Sequence, residues 1–141
     1  MRSARRAIGT LPVVDASALV HYLLESDVGR QVEQRLRDAR SVDVPHVIDL
    51  EVASTLRRLE AIGAVGPHRA REALEDLLRA PLVRYPERLF LPRIWELRHT
   101  ITSYDASYVA LAEALSTPLL TTDARLSRSH GHGAQIELFR P

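Results

Sequence analysis

The chain is expected to fold as one α/β domain, with a mainly parallel central sheet and helices on both faces, and three observations lead there. Short apolar runs of strand length, at residues 11–14, 42–45, 82–85, 119–122 and 135–139, are separated by stretches whose apolar residues recur at helical spacing. A length of 141 residues suits a single domain that buries roughly two thirds of the surface its unfolded chain exposes. Two of the runs end on an aspartate, Asp15 after the first and Asp123 after the fourth. The crevice outside the carboxyl ends of parallel strands is where such sheets bind ligands, so chemistry is expected at these two residues.

Taken in order, residues 1–10 read as a basic, disordered N-terminal arm with three arginines and no apolar leader core, and residues 11–141 as the domain. The first strand runs into Asp15 and a helix over 16–24 with Leu19, Tyr22 and Leu23 turned inward; taken alone, Asp15 or Ser17 could simply cap that helix. Val28, Val32 and Leu36 are spaced by four along a scaffold helix over 27–39. Pro45 closes the alternating run VDVP. A helix over 47–62 carries Ile48, Val52, Leu56 and Leu59 and stops at Gly63, with Glu51, Thr55 and Arg58 along one flank, where Glu51 and Arg58 could form a surface pair.

Pro67 opens the next helix, with Ala70, Ala73, Leu74 and Leu77 expected to be buried. The 82–85 run is a third strand, and residues 87–98 form a helix in which Trp95 is expected in the core. From Tyr104 the stripe Tyr108, Leu111, Leu115 marks a helix with Asp105 in its first turn, broken by Thr117-Pro118 before the strand LLTT. ARLSRS adds a short helix and HGHG a flexible turn. His130 and His132 lack the third ligand a metal site would want. Residues 135–139 alternate as an edge strand, and no repeat or low-complexity tract interrupts the pattern.

Composition narrows the chemistry. Cysteine is absent, which excludes disulfides and thiolate metal sites. All 19 basic residues are arginine, so no lysine can serve as nucleophile or Schiff base, while bidentate phosphate contacts are well supplied. The net charge of +1 argues against a purely electrostatic nucleic-acid binder. Every long apolar stretch is interrupted by charge or proline, which leads us to expect a soluble, cytoplasmic protein with no membrane association.

Asp15, Glu51, Asp105 and Asp123 each have a structural alternative, but all four fall where strands meet helices and can converge at one sheet edge. Carboxylates packed together raise one another's pKa unless a cation neutralises them, and an oxygen-only set suits Mg2+ or Mn2+ over zinc. Such a site supports hydrolysis of a phosphodiester. Ser17, Thr121 and Thr122 are near enough to hydrogen-bond the ligands, and Arg58, Arg98 and Arg125 could steady the phosphodiester backbone of a nucleic-acid substrate.

VVDASALV, DLEVASTLRR, TSYDASYVALAEAL and PLLTTDARL together resemble PIN-domain ribonucleases, most closely the VapC toxins of bacterial toxin–antitoxin modules, over about residues 12–139. The resemblance implies a PIN-like sheet in the order 3-2-1-4-5 and an acidic Mg2+ or Mn2+ site. It also implies endoribonuclease cleavage of structured RNA such as tRNA or ribosomal RNA loops, a homodimer, and a cognate VapB antitoxin. Many relatives carry Asn where this chain has Thr100. A phosphorylated receiver domain would need a lysine, and a haloacid-dehalogenase-like phosphatase would need a second aspartate where Ser17 stands. The rival of another class is a PIN-like binding module that has lost catalysis and acts through protein or RNA partners.

Overall fold

Residues 11–141 are described by a computed structural model; the N-terminal arm of residues 1–10 lies outside the described residues. Five strands, β1 (Val13–Val14), β2 (Val42–Pro45), β3 (Leu82–Tyr85), β4 (Leu119–Thr121) and β5 (Ile136–Leu138), form one all-parallel sheet in the order β3-β2-β1-β4-β5. Around it lie α1 (Ala16–Leu23), α2 (Asp27–Leu36), α3 (Ile48–Ala61), α4 (Pro67–Arg79), α5 (Leu91–Glu96), α6 (Ser103–Leu115) and α7 (Ala124–Ser127), with a 3-10 turn at Glu87–Phe90 before α5.

The winding reverses between β1 and β4, which pair directly through Val13 with Leu119 and Val14 with Leu120. α1 to α4 pack on one another, whereas α6 packs on α5 and on β1, β2 and β4; right-handed crossovers put these groups on opposite faces. Short strands suffice because both faces are covered: Val13, Val14, Val44, Leu119 and Leu120 are fully buried. The alternation Val-Asp-Val in β2 suggests a strand with one wet face, yet all four of its residues are buried. Burial pushes the Asp43 carboxyl upward, and its Oδ1 has no hydrogen-bond partner.

Several expectations need correction. Trp95 is 66% exposed, because α5 is only six residues long and buries Ile94, followed by Leu97, instead. Leu74 is 39% exposed, since α4 rests on Ala70, Ala73 and Leu77. The first strand is two residues long, and β4 ends at Thr121, one residue before Thr122. α6 ends not at the proline but at Ser116, whose left-handed backbone (φ 51°) lets Thr117 N–H reach Ala112 O at 3.1 Å. Gly63, at φ 75°, ends α3 as its place in the sequence predicts.

The HGHG segment is tied down. Arg93 grips Glu113 through two 3.0 Å bonds and reaches Gly131 O at 3.2 Å, while Glu113 also accepts from Gly133 N–H at 3.0 Å. His132 Nδ1 accepts from Ala134 N–H, so its Nε2 donates to Ser129 Oγ at 2.8 Å. The Arg93 hydrogen bonds hold the Glu113 carboxyl below its usual range. The stability this contributes is present above the unfolded carboxylate pKa and lost as pH falls through the depressed folded one. Arg93→Ala is therefore expected to cost about 1 to 2 kcal/mol at pH 7, shrinking towards zero below about pH 4, as read by urea unfolding across that range.

Candidate functional site

Asp15 stands at the exact switch between β1 and α1, and its extended backbone makes it the N-cap of that helix. Its Oδ1 accepts from Ala18 N–H at 2.9 Å and from Ser17 Oγ at 2.6 Å, and its Oδ2 accepts from Thr121 Oγ1. The hydroxyls are themselves held from β4: Thr121 Oγ1 accepts from Asp123 N–H and Ser17 Oγ from Thr122 N–H, both at 3.0 Å. Capping alone needs one such acceptor. Here the carboxylate is locked by both strands of the switch point and is only 5% exposed. Thr122 takes part through its backbone N–H, and Ser17 and Thr121 through their side chains.

Glu51 lies in the first turn of α3, and its Oε1 accepts from Tyr108 OH at 2.7 Å. That bond comes from α6, across the sheet edge; the surface pair with Arg58 that the spacing allows is not formed among the described residues. Asp105 opens α6, where its N–H donates to the capping Thr102 Oγ1 at 3.1 Å. Asp123 caps α7 through Arg125 N–H at 2.8 Å.

The four carboxylates feel one another. Burial raises Asp15, with a further push from Asp105; burial raises Glu51, with pushes from Asp105, Asp15 and Glu87; burial raises Asp105, followed by Asp123. Glu87, which accepts from Val47 N–H ahead of α3, is a fifth acidic neighbour that sequence spacing did not single out. Among the described residues, no three acidic or histidine side chains are gathered at ligand distance. The donor set still fits a hard cation: it is all oxygen, and the mutual repulsion is of the kind a divalent ion relieves.

Arg98 and Arg125 line one open cavity with Asp105 and Asp123, and Thr100 lies on the same wall with its hydroxyl turned to Leu97 O. Arg58 is exposed on α3 and is not part of that wall. Tyr108 is the functional neighbour that sequence reasoning missed, since its place in an apolar stripe made it look like core alone. Burial and the Glu51 charge raise its pKa, so it stays a neutral donor. Tyr108→Phe is expected to cost about 1.5 kcal/mol at pH 7 by leaving a half-buried carboxylate short of a donor. The deficit should narrow on acidification as Glu51 protonates; a pH-independent deficit in thermal unfolding would mark a packing effect instead.

A profile of the PIN domain matches residues 13–130. The chain is 47% identical over 115 residues to ribonuclease VapC9 of Mycobacterium tuberculosis, covering 82% of this chain and 87% of that one. It is 40% identical over 126 residues to ribonuclease VapC12 of the same organism, covering 89% and 97%. Among solved structures it is similar to PAE2754 from Pyrobaculum aerophilum, with a TM-score of 0.66 at 24% identity over 90% of this chain and 83% of that one. It is also similar to a structure of VapBC2 from Rickettsia felis bound to a promoter DNA fragment, with a TM-score of 0.64 at 12% identity over 92% and 99%. These two likenesses establish the fold.

Proposed function

The chain belongs to the PIN-domain family, among the VapC ribonucleases, and from that premise we propose that it is a metal-dependent endoribonuclease toxin. Its substrate in this reading is structured cellular RNA, such as tRNA or ribosomal RNA loops, met in the cytoplasm. The observation that carries the reading is Asp15: a carboxylate 5% exposed, fixed at the switch point by Ser17 and Thr121 and facing the charges of Glu51 and Asp105. A purely structural cap has no need of two acidic neighbours, whose repulsion only destabilises it.

Asp15, Glu51, Asp105 and Asp123 would hold Mg2+ or Mn2+, which supplies charge neutralisation and Lewis acidity for in-line phosphodiester hydrolysis. The chain's own contribution is preorganisation. Ser17 and Thr121 fix both oxygens of Asp15, and Tyr108 fixes one oxygen of Glu51. Arg98 and Arg125, on the wall shared with Asp105 and Asp123, orient the RNA backbone.

Control by a cognate VapB-type antitoxin and a homodimer belong to the same proposal. The exposed Leu50, Leu91 and Tyr104 rim a groove between the start of α3 and the 3-10, α5 and α6 segment, an apolar surface suited to a second copy. Among the described residues no helix is long and apolar enough to cross a membrane.

The test is incubation of total cellular RNA with purified, antitoxin-free protein in Mg2+, Mn2+ or EDTA, beside Asp15→Ala, with mapping of new 5′ ends. Discrete cation-dependent cuts that vanish in the variant are expected, with dimerisation and antitoxin binding retained. Equal cutting by the variant would remove Asp15 from the site. No cutting by folded, antitoxin-free wild type that still binds RNA would favour the non-catalytic binding module.

A further inference from the structure

The open cavity beside the acidic crevice has a volume of about 540 Å3, within the roughly 300–1,000 Å3 of small-ligand pockets. It shares Asp105 and Asp123 with the crevice, and the rest of its wall carries Arg98, Arg125 and Arg128. Among the described residues these three guanidinium groups make no ion pair.

Arg98 is moreover not a loose surface cation. Its Cζ lies 4.6 Å from the centroid of the Trp95 ring, and its Nη1 donates to Trp95 O at 2.8 Å. The guanidinium is thus laid on the indole and tied to the same residue's backbone, a planar group ordered in advance. The indole itself is mostly exposed, an uncommon position for so large an apolar surface unless something stacks there.

We propose that this cavity seats the unpaired nucleotide next to the scissile phosphate, its base stacked on the plane of Arg98, which Trp95 backs from outside the cavity wall, and its phosphate on Arg125 and Arg128. The proposal rests on the nuclease reading above and adds a subsite to it: one unpaired nucleotide whose base turns onto the Arg98 plane. Bases stack on aromatic rings and on arginine planes alike, and a flat, fixed stack serves a base better than it serves the carboxylates of an acidic peptide. Such stacking tolerates any base, so the cavity adds affinity and positioning without reading sequence.

Trp95 is the only tryptophan in the chain and lies against Arg98, so its emission reports on the stack. The experiment titrates wild-type protein in EDTA at low salt with a fluorescein-labelled 12-nucleotide oligoadenylate RNA, following anisotropy and tryptophan emission together. A saturable quench that tracks binding is expected, and it should be absent with an abasic RNA of the same length. Arg98→Ala and Trp95→Ala should each weaken oligoadenylate binding about tenfold while leaving affinity for the abasic RNA unchanged. Arg125→Ala and Arg128→Ala should keep the quench and each lower the salt slope by about 0.7.

Binding by anisotropy with unaltered emission and an unaffected Arg98→Ala variant overturns the proposal. So does a quench produced by a polyglutamate peptide and not by RNA, which would make the cavity a protein-docking site. Metal-dependent cutting that survives with these readouts unmoved sinks the cavity assignment alone. A base-dependent quench in a protein that cuts no RNA sinks the nuclease reading and spares the stack.

Discussion

Asp105→Asn is expected to give a protein that melts higher than wild type and cuts no RNA. The carboxyl of Asp105 is raised by burial and then by Asp123, so in the folded chain its charged form is disfavoured relative to the unfolded chain. The sign follows from linkage. A carboxyl with a raised folded pKa binds protons more tightly when folded, so stability falls as pH climbs from the unfolded to the folded pKa. The penalty is fully present at neutral pH. One opposing effect is the start of α6, whose dipole favours an anion in the first turn by about 0.3–1 kcal/mol. Thr102 and Arg125 also oppose it, and burial and the Asp123 charge outweigh those two.

Asparagine keeps the shape and removes the charge, so a gain of about 1 kcal/mol, roughly 3 °C in Tm, is expected at pH 7.5 in EDTA. The gain should shrink towards zero as pH falls below about 4, the unfolded carboxyl's range, where the group is protonated in folded and unfolded chains alike. Calorimetry at the two pH values, beside the RNA cleavage assay, checks both halves. A lower Tm at pH 7.5 would make Asp105 a helix-stabilising residue, and retained cutting would take it out of the catalytic set.

Gly29→Ala is expected to be the most damaging conservative change in the scaffold. A Cβ at Gly29 in α2 would stand 1.9 Å from His21 O and 2.5 Å from His21 C, on the backbone of α1. Backbone cannot swing aside as a side chain can, so the two helices must separate. Overpacking of this kind costs about 1 to 3 kcal/mol or more, against a helix-propensity gain of at most about 1 kcal/mol for alanine over glycine. We expect a net loss of about 2 kcal/mol in urea unfolding with an unchanged m-value. The loss bears on function because α1 begins at the Asp15 cap. A neutral or stabilising result would mean that α2 shifts freely over α1, contrary to the hydrogen bonds at their junction, His21 Nδ1 with Ser26 Oγ at 2.7 Å and Gly29 N–H with Ser26 Oγ at 3.0 Å.

The sequence by itself determined the order and kind of the elements, because apolar periodicity and breakers are local signals. β2, β3 and α4 have the bounds their apolar runs and Pro67 predict. It also placed Asp15 and Asp123 at strand ends, since an aspartate directly after a buried run has few other places to be. Short elements were less legible. α5 offers one turn and a half, too little for periodicity to tell which of Leu91, Ile94, Trp95 and Leu97 faces inward, and packing against α6 decided for Ile94 and Leu97.

What the tertiary structure alone decided are relations between residues far apart in the chain. Thr121 reaches Asp15 and Tyr108 reaches Glu51 because the winding reverses between β1 and β4, and no local pattern encodes a partner 106 or 57 residues away. The approach of α2 to α1 at Gly29, the clamp of Arg93 on Glu113 and the exposure of Trp95 under Arg98 are likewise consequences of packing. Periodicity fixes which face of an element is apolar; only the assembled sheet and helices fix what that face, and the polar groups beside it, will meet.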